Sequence, residues 1–251
     1  MKTLSLDQAY DAESQARVEQ ISHMKDSKFV LHYFPVHTYV TSIRFQLIFA
    51  GVEWEDKLQD FDTFSSIKSE QPFGTLPVLY ETTTDGDGYL ARKFDQLGAN
   101  ECQKLQHMMI VSIHKTMSKH WLYSYVMNGN EQEKAKVKKK MYDEYFPAYL
   151  AKMEKVAMRN GFNGHFVGEK FSLIDAKFVG LFDKFIAMDT DDFITKQAYP
   201  ALFKVKQTLD TYPPIAEYRK SETYAKITAN VNASFANRKN LPFDLCKADI
   251  Y

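Results

Sequence analysis

The spacing of hydrophobic positions changes character twice along this chain. Phe29-Val30-Leu31-His32-Tyr33-Phe34 is a short run of aromatic and β-branched residues ended by Pro35, the signature of a strand. From about Thr38 the spacing becomes helical, with Val40, Ile43, Leu47 and Ala50 on one face and Gly51 as a stop. Trp54 to Phe61 reads as a second strand of weak alternation. Strand, helix, strand in that order predicts a βαβ unit with a parallel pair. Pro72-Phe73-Gly74-Thr75-Leu76-Pro77-Val78-Leu79 then runs through a glycine turn into a short buried strand over Pro77–Thr82, next in the same sheet. An X-Pro bond at a strand's entry can be cis, which leaves Leu76 with main-chain groups able to pair with a short peptide by strand addition.

From Ala99 onward the pattern is that of long helices. Glu101–Met127 and Glu131–Ala157 predict an antiparallel pair joined at Asn128-Gly129-Asn130. Arg159-Asn160-Gly161-Phe162-Asn163-Gly164 is a loop. Ser172-Leu173-Ile174-Asp175 opens another helix as a capping box with aspartate in the usual glutamate's place, and Phe171 before it is positioned as a hydrophobic staple. Pro200–Thr211 and Pro214–Ala225 are two more helices with proline at or near the first turn. The expected organisation is an extension over 1–27 (with a helix over Gln8–His23), a small α/β domain over 28–96, an all-helical domain over 97–235 and a tail over 236–251.

Composition narrows the function classes. Lysine and arginine number 32, as do aspartate and glutamate, so net charge points to neither a nucleic-acid nor a membrane partner. Cys102 and Cys246 are too few and too far apart for a disulfide framework or a zinc pattern, which fits a reducing, cytoplasmic setting. Met1 to Lys28 lacks the apolar segment of a secretory signal, and no apolar run approaches ~18 residues.

Taken together, these segments resemble cytosolic glutathione S-transferases of the tyrosine type, nearest the sigma, pi and mu group, over about Phe29 to Ala225. Tyr33-Phe34-Pro35-Val36 with Arg44 resembles the first strand and helix of that family. Phe73-Gly74-Thr75-Leu76-Pro77-Val78-Leu79 resembles its glutathione-pairing turn with a cis proline, and Gly98-Ala99-Asn100-Glu101 the start of its helical domain. His165-Phe166-Val167-Gly168-Glu169-Lys170-Phe171-Ser172-Leu173-Ile174-Asp175 resembles its buried capping-box helix. Pro200-Ala201-Leu202 followed by Pro214-Ile215-Ala216-Glu217-Tyr218 resembles its C-terminal pattern.

The resemblance implies an α/β thioredoxin-like N-terminal domain, an all-α C-terminal domain, a homodimer, and glutathione as co-substrate with no metal. It implies that the Tyr33 hydroxyl stabilises the glutathione thiolate, the nucleophilic form. Among fifteen tyrosines, only position in the motif singles this one out. Leu76 would pair through its backbone with the cysteinyl part, with Pro77 beside it in the binding turn, and Lys68 would meet the glycine carboxylate. Phe64 stands where the sigma group has a tryptophan, and keeps the packing without the donor. Thr75 replaces a longer glutamine or lysine, and Tyr39 replaces a supporting arginine. Met108 and Ser112 fall where the family lines its electrophile pocket; Met108 also falls near the acidic residue that reaches across from a partner subunit.

One departure is large. After Thr82 the family continues with a turn, a fourth strand and a helix whose N-terminus and serine hold the γ-glutamyl carboxylate. Those elements need ~20 residues, and only fourteen separate Thr82 from Leu97. Tyr89-Leu90-Ala91-Arg92-Lys93-Phe94 reads as the end of that helix in preference to the missing strand. Charged contacts are worth roughly 1.5–3 kcal/mol each, so the loss of two or three lowers glutathione affinity by orders of magnitude. The expected function is a glutathione S-transferase homologue conjugating hydrophobic electrophiles with weak or lost activity; the alternative is a non-catalytic binding or structural scaffold.

Other signals carry less. Asp85-Gly86-Asp87-Gly88 and Asp189-Thr190-Asp191-Asp192 lack a calcium loop's full spacing. His107 and His114, seven residues apart with His120 nearby, lack a carboxylate or cysteine to complete a metal site. Lys134, Lys136, Lys138, Lys139 and Lys140 read as a solvated helix face. A thioltransferase would need a cysteine within Pro35–Ser42, and there is none.

Overall fold

The computed structural model describes residues 28–37, 40–60, 62–71, 76–80, 94–121, 130–189 and 193–228. Expectations for the N-terminal extension, Tyr39, Thr75, the shortened stretch 81–93, the Asn128-Gly129 part of the helix connection and the C-terminal tail lie outside the described residues.

Strand β1 (Phe29–Tyr33) is central in a three-stranded sheet of order β2-β1-β3. Helix α1 (Thr41–Ala50) crosses from β1 to β2 (Trp54–Leu58), and the two strands pair in parallel from Phe29↔Trp54 to Tyr33↔Leu58. Strand β3 (Val78–Tyr80) runs antiparallel on the other edge of β1, with Val30 opposite Tyr80 and His32 opposite Val78. The alternation of β1 sends Phe29 and Leu31 into one cluster with Val40, Ile43 and Leu47 of the α1 face and Leu79 of β3. Gly51 ends α1 in the left-handed region at φ 66°, which glycine adopts without strain.

Strand β2 stops at Leu58, short of the expected Phe61. Asp60 Oδ1 accepts from Asp62 N at 2.8 Å, an aspartate turn that diverts the backbone. It leads into α2, a single turn over Phe64–Ile67 continued by a 3₁₀ turn over Lys68–Glu70.

The helical part begins with α3 (Glu101–Lys119), capped by the Asn100 side chain, which accepts from Gln103 N. The expected helix over Glu131–Ala157 is realised as α4 (Glu131–Lys140), a π-helical turn (Met141–Tyr145) and α5 (Phe146–Arg159). Pro147 has no N–H for the Asp143 carbonyl, so the hydrogen-bond ladder loosens just before it. Helix α6 (Leu173–Met188) opens with the expected capping box, and Asp175 also accepts from Phe166 N at 2.9 Å. Phe171, expected as a staple, stacks on Phe49 of α1 at 3.7 Å between centroids.

Helix α7 spans Pro200–Asp210 and α8 spans Pro213–Lys220. The expected helix to Ala225 breaks at Ser221, whose ψ of 153° is extended and whose Oγ accepts from Tyr224 N at 3.1 Å. Ser221 therefore caps a further helix, α9, over 222–228.

Phe178, Phe182 and Phe185 of α6 are fully buried in the helical core. Helix α1 lies against α6, and its other contacts reach the segments around it: Phe49 stacks on Tyr212 as well as Phe171, Arg219 of α8 sits over the Phe45 ring, and Gln96 Nε2 donates to Gln46 O at 3.2 Å.

Candidate functional site

Tyr33 is the last residue of β1, and its carbonyl accepts from Gln59 N at 2.8 Å, so the strand pairing carries right up to it. By alternation it shares the face of Phe29 and Leu31. Its half-buried ring meets Phe34 edge-on at 5.5 Å, and Phe34 in turn meets Phe64 of α2 at 5.2 Å. Three rings from β1 and α2 thus line one side of the site. Lys68, one turn beyond Phe64, is exposed and has no acidic partner among the described residues. Leu76 precedes β3 and lies outside its ladder with β1, and the Leu76-Pro77 bond is cis. Phe64 thus reaches the end of β1 through Phe34, and Leu76 and Pro77 precede Val78, which pairs with His32 next to Tyr33.

The loop after Tyr33 is fixed from below. Arg44 of α1, fully buried, donates to both carboxylate oxygens of Asp56 on β2, at 2.7 and 3.2 Å, and to the Val36 carbonyl at 3.1 Å. Planar guanidinium geometry suits this two-pronged contact. From above, α9 closes the loop. Ile227 is fully buried with Val36, and Tyr33, Phe34 and Leu58 pack around them. His37 places Nε2 3.0 Å from Thr228 Oγ1, and its ring lies 4.4 Å from that of Tyr224. Burial, with the charges of Lys184, Arg44 and Arg219, holds the His37 pKa well below the usual histidine range, so the ring is neutral.

Met108 and Ser112 lie on the exposed face of α3, where Leu105, Met108, Met109 and Ile113 form an apolar stripe at helical spacing. Tyr33 packs against α9, which sequence reasoning did not single out. The one available signal was Ile227 itself, an apolar residue six positions after Ser221.

The opposite face of β1 holds a polar cluster that sequence reasoning also missed. His32 is buried, with Nε2 3.3 Å from Gln59 Oε1 and Nδ1 3.4 Å from the Tyr80 hydroxyl, which donates to Gln71 Oε1 at 3.2 Å. Burial lowers the His32 pKa, and the hydrogen bond with Gln59 offsets this only in part. Its sequence signal was a polar residue inside an apolar strand run.

Away from the site, a buried charge network ties α6, α7 and α8. Asp183 accepts from Lys206 at 2.6 Å and from Arg219 at 3.0 Å, and Asp210 pairs with the same two cations. Burial raises the Asp183 pKa, but the two cations outweigh it and hold the carboxyl below its ordinary value. Among the described residues no group of three metal-ligating side chains occurs, and no helix is long and apolar enough to cross a membrane.

Comparison with known proteins agrees with this architecture. Residues 117–222 match the family model described as glutathione S-transferase, C-terminal domain. The chain is 30% identical over 214 residues to a glutathione S-transferase of Dirofilaria immitis, covering 80% of this chain and 97% of that protein. The pi-class glutathione S-transferase of Onchocerca volvulus superposes with a TM-score of 0.68 at 26% identity, covering 79% of this chain and 95% of the other. A prostaglandin synthase D of Nilaparvata lugens shares the fold at a TM-score of 0.67 and 22% identity, over 78% and 98% of the two chains. With a small mixed sheet carrying the site and a helical domain behind it, the chain belongs to the glutathione S-transferase family, as a thioredoxin-like domain followed by an all-α domain.

Proposed function

We propose that this protein binds glutathione and adds its thiolate, weakly, to hydrophobic electrophiles. The Tyr33 hydroxyl donates to the sulfur and favours the thiolate. Leu76 pairs through its backbone with the cysteinyl unit beside Pro77, Phe64 packs against the peptide, Lys68 meets its glycine carboxylate, and Thr75 gives a shortened contact. The observation that carries this reading is the convergence of the Tyr33, Phe34 and Phe64 rings, with an exposed Lys68 one turn beyond Phe64 and Leu76 outside the β1–β3 ladder. Electrophiles would be received on the Met108 and Ser112 side of α3. The exposed Leu105, Met109 and Ile113 of α3 support a homodimer that covers them, since a second copy removes that area from water. Balanced charge and two isolated cysteines support a cytoplasmic, detoxifying role, and the domains divide near Gln96–Ala99.

Weak rather than vigorous chemistry follows from two observations. The stretch between Thr82 and Leu97 is too short for the strand and helix that hold the γ-glutamyl end in the family, and Ile227 fills apolar space beside Tyr33. Both also favour the second reading, a transferase-like scaffold without catalysis. The test is a conjugation assay with a small aryl halide on the wild type and Tyr33→Phe. Slow conjugation that falls about tenfold or more on loss of the hydroxyl is expected, the cost of removing one hydrogen bond to a charged sulfur. A rate indifferent to Tyr33→Phe contradicts the assigned role.

A further inference from the structure

Helix α2 carries Phe64 and Lys68, yet it has little to hold it. It is one α turn and one 3₁₀ turn, none of its residues is buried, and no side chain caps its start. A segment this short does not persist through helix propensity alone. Among the described residues it is held by the Phe64 contact with Phe34, by Ser66 N and Oγ donating to the Thr63 carbonyl, and by a run of polar contacts that starts at one end of α2, passes beneath the sheet and returns to the other end.

The run can be followed atom by atom. Gln59 Nε2 donates to Thr63 Oγ1 at 2.9 Å and to the Asp60 carbonyl at 3.1 Å, at the entry to α2. Those two bonds orient the Gln59 amide, so its Oε1 faces His32 and the His32 Nε2–H is the donor at 3.3 Å. The other nitrogen of His32, Nδ1, then carries no proton and accepts; it lies 3.4 Å from the Tyr80 hydroxyl, whose single proton it shares with Gln71 Oε1 at 3.2 Å. Gln71 Nε2 donates to the Ile67 carbonyl at 3.3 Å, in the last turn of α2. The Gln71 backbone N–H closes on the Lys68 carbonyl at 3.3 Å. His32 is 1% exposed and sits at the middle, on the central strand. A side chain buried there without its two partners would leave polar groups unpaired, so the network is held as a unit.

We propose that His32 is a positioning residue for the glutathione subsite on α2: through Gln59 and Tyr80 it sets both ends of the segment that presents Phe64 and Lys68. It touches no substrate. The role rests on the glutathione reading above. It differs from that of Tyr33, the neighbouring residue on the opposite face of β1, which acts on the sulfur.

The test uses the full chain and glutathione itself. His32→Phe removes both ring nitrogens, and Tyr80→Phe removes the hydroxyl that meets both His32 and Gln71 while keeping the ring, which covers the case in which the first variant fails to fold. His32→Gln restores a donor towards Gln59. Calorimetric glutathione Kd and amide hydrogen exchange over residues 62–70, the latter without glutathione, are measured for each. His32→Phe and Tyr80→Phe are expected to weaken binding about five- to tenfold, the scale of a hydrogen bond or two, and to speed exchange over 62–70, with His32→Gln recovering part of both. The pH dependence of bound-thiolate absorbance stays that of the wild type, because Tyr33 is untouched. Wild-type binding with unchanged Kd and exchange in folded variants overturns the role of His32 alone. A wild type that binds no glutathione overturns the glutathione reading, and this role with it.

Discussion

His107 and His114 lie two turns apart on α3, both buried, in opposite circumstances. His114 Nδ1 is 2.8 Å from the Tyr149 hydroxyl and Nε2 is 3.1 Å from Ser118 Oγ, so its ring is satisfied on both sides. Neither nitrogen of His107 has a hydrogen-bond partner among the described residues. Burial lowers the pKa of His107 to about 4 and that of His114 to about 3, from 6.5. Both rings are therefore neutral in the folded protein at neutral pH. The unfolded chain takes up their protons first as pH falls below 6.5, so stability is full above 6.5 and declines towards about 4 for His107 and about 3 for His114. The slope is about 1.4 kcal/mol per pH unit for each proton. Replacing His107 by Leu removes an unpaired buried group, and we expect a gain of about 1–3 kcal/mol at pH 7 together with a shallower acid slope. Denaturant titrations at pH 7 and pH 5 check both, and a loss of stability at pH 7 in His107→Leu would show that the ring has a partner.

At the scale of elements, the site loop depends on one ion pair. Arg44 and Asp56 join α1 to β2 with side-chain exposures of 0% and 6%, and Arg44 also holds Val36. Removing one member of a buried pair strands the other charge, at a cost of about 3–5 kcal/mol. Asp56→Ala is expected to lose stability on that scale by chemical denaturation; a loss below ~1 kcal/mol, the range of exposed pairs, would mean that Arg44 finds water instead.

Elements such as α1, β1 and the α6 capping box were legible because their signals are local: a helical period, a β-branched run, a serine three residues before an acid. The π turn before Pro147, the break at Ser221 and the end of β2 at Asp60 were not, because each depends on which backbone group finds a partner. The roles of His32 and Ile227 were not legible for a related reason, although each left a faint mark in the local pattern. Their roles come from residues 27 to 194 positions away, Gln59 and Tyr80 for one and Tyr33 and Val36 for the other. Tyr33 was legible as a candidate only through the motif around it, since its ring chemistry is that of any tyrosine.

For the whole molecule, the central question is whether a chain with only fourteen residues between Thr82 and Leu97 holds glutathione. On the proposed reading Tyr33, Phe64, Lys68 and Leu76 supply the cysteinyl and glycine contacts, and the fourteen residues between Thr82 and Leu97 leave out the γ-glutamyl ones. The expected result is an affinity lowered by orders of magnitude yet directed by the same residues. Titration calorimetry of glutathione into the purified, folded protein tests this most directly. Binding in the micromolar-to-millimolar range, weakened further by Lys68→Ala, is the predicted result. A protein that is folded by circular dichroism and takes up no glutathione at millimolar concentration would contradict it, and would make the chain a scaffold built on a transferase fold.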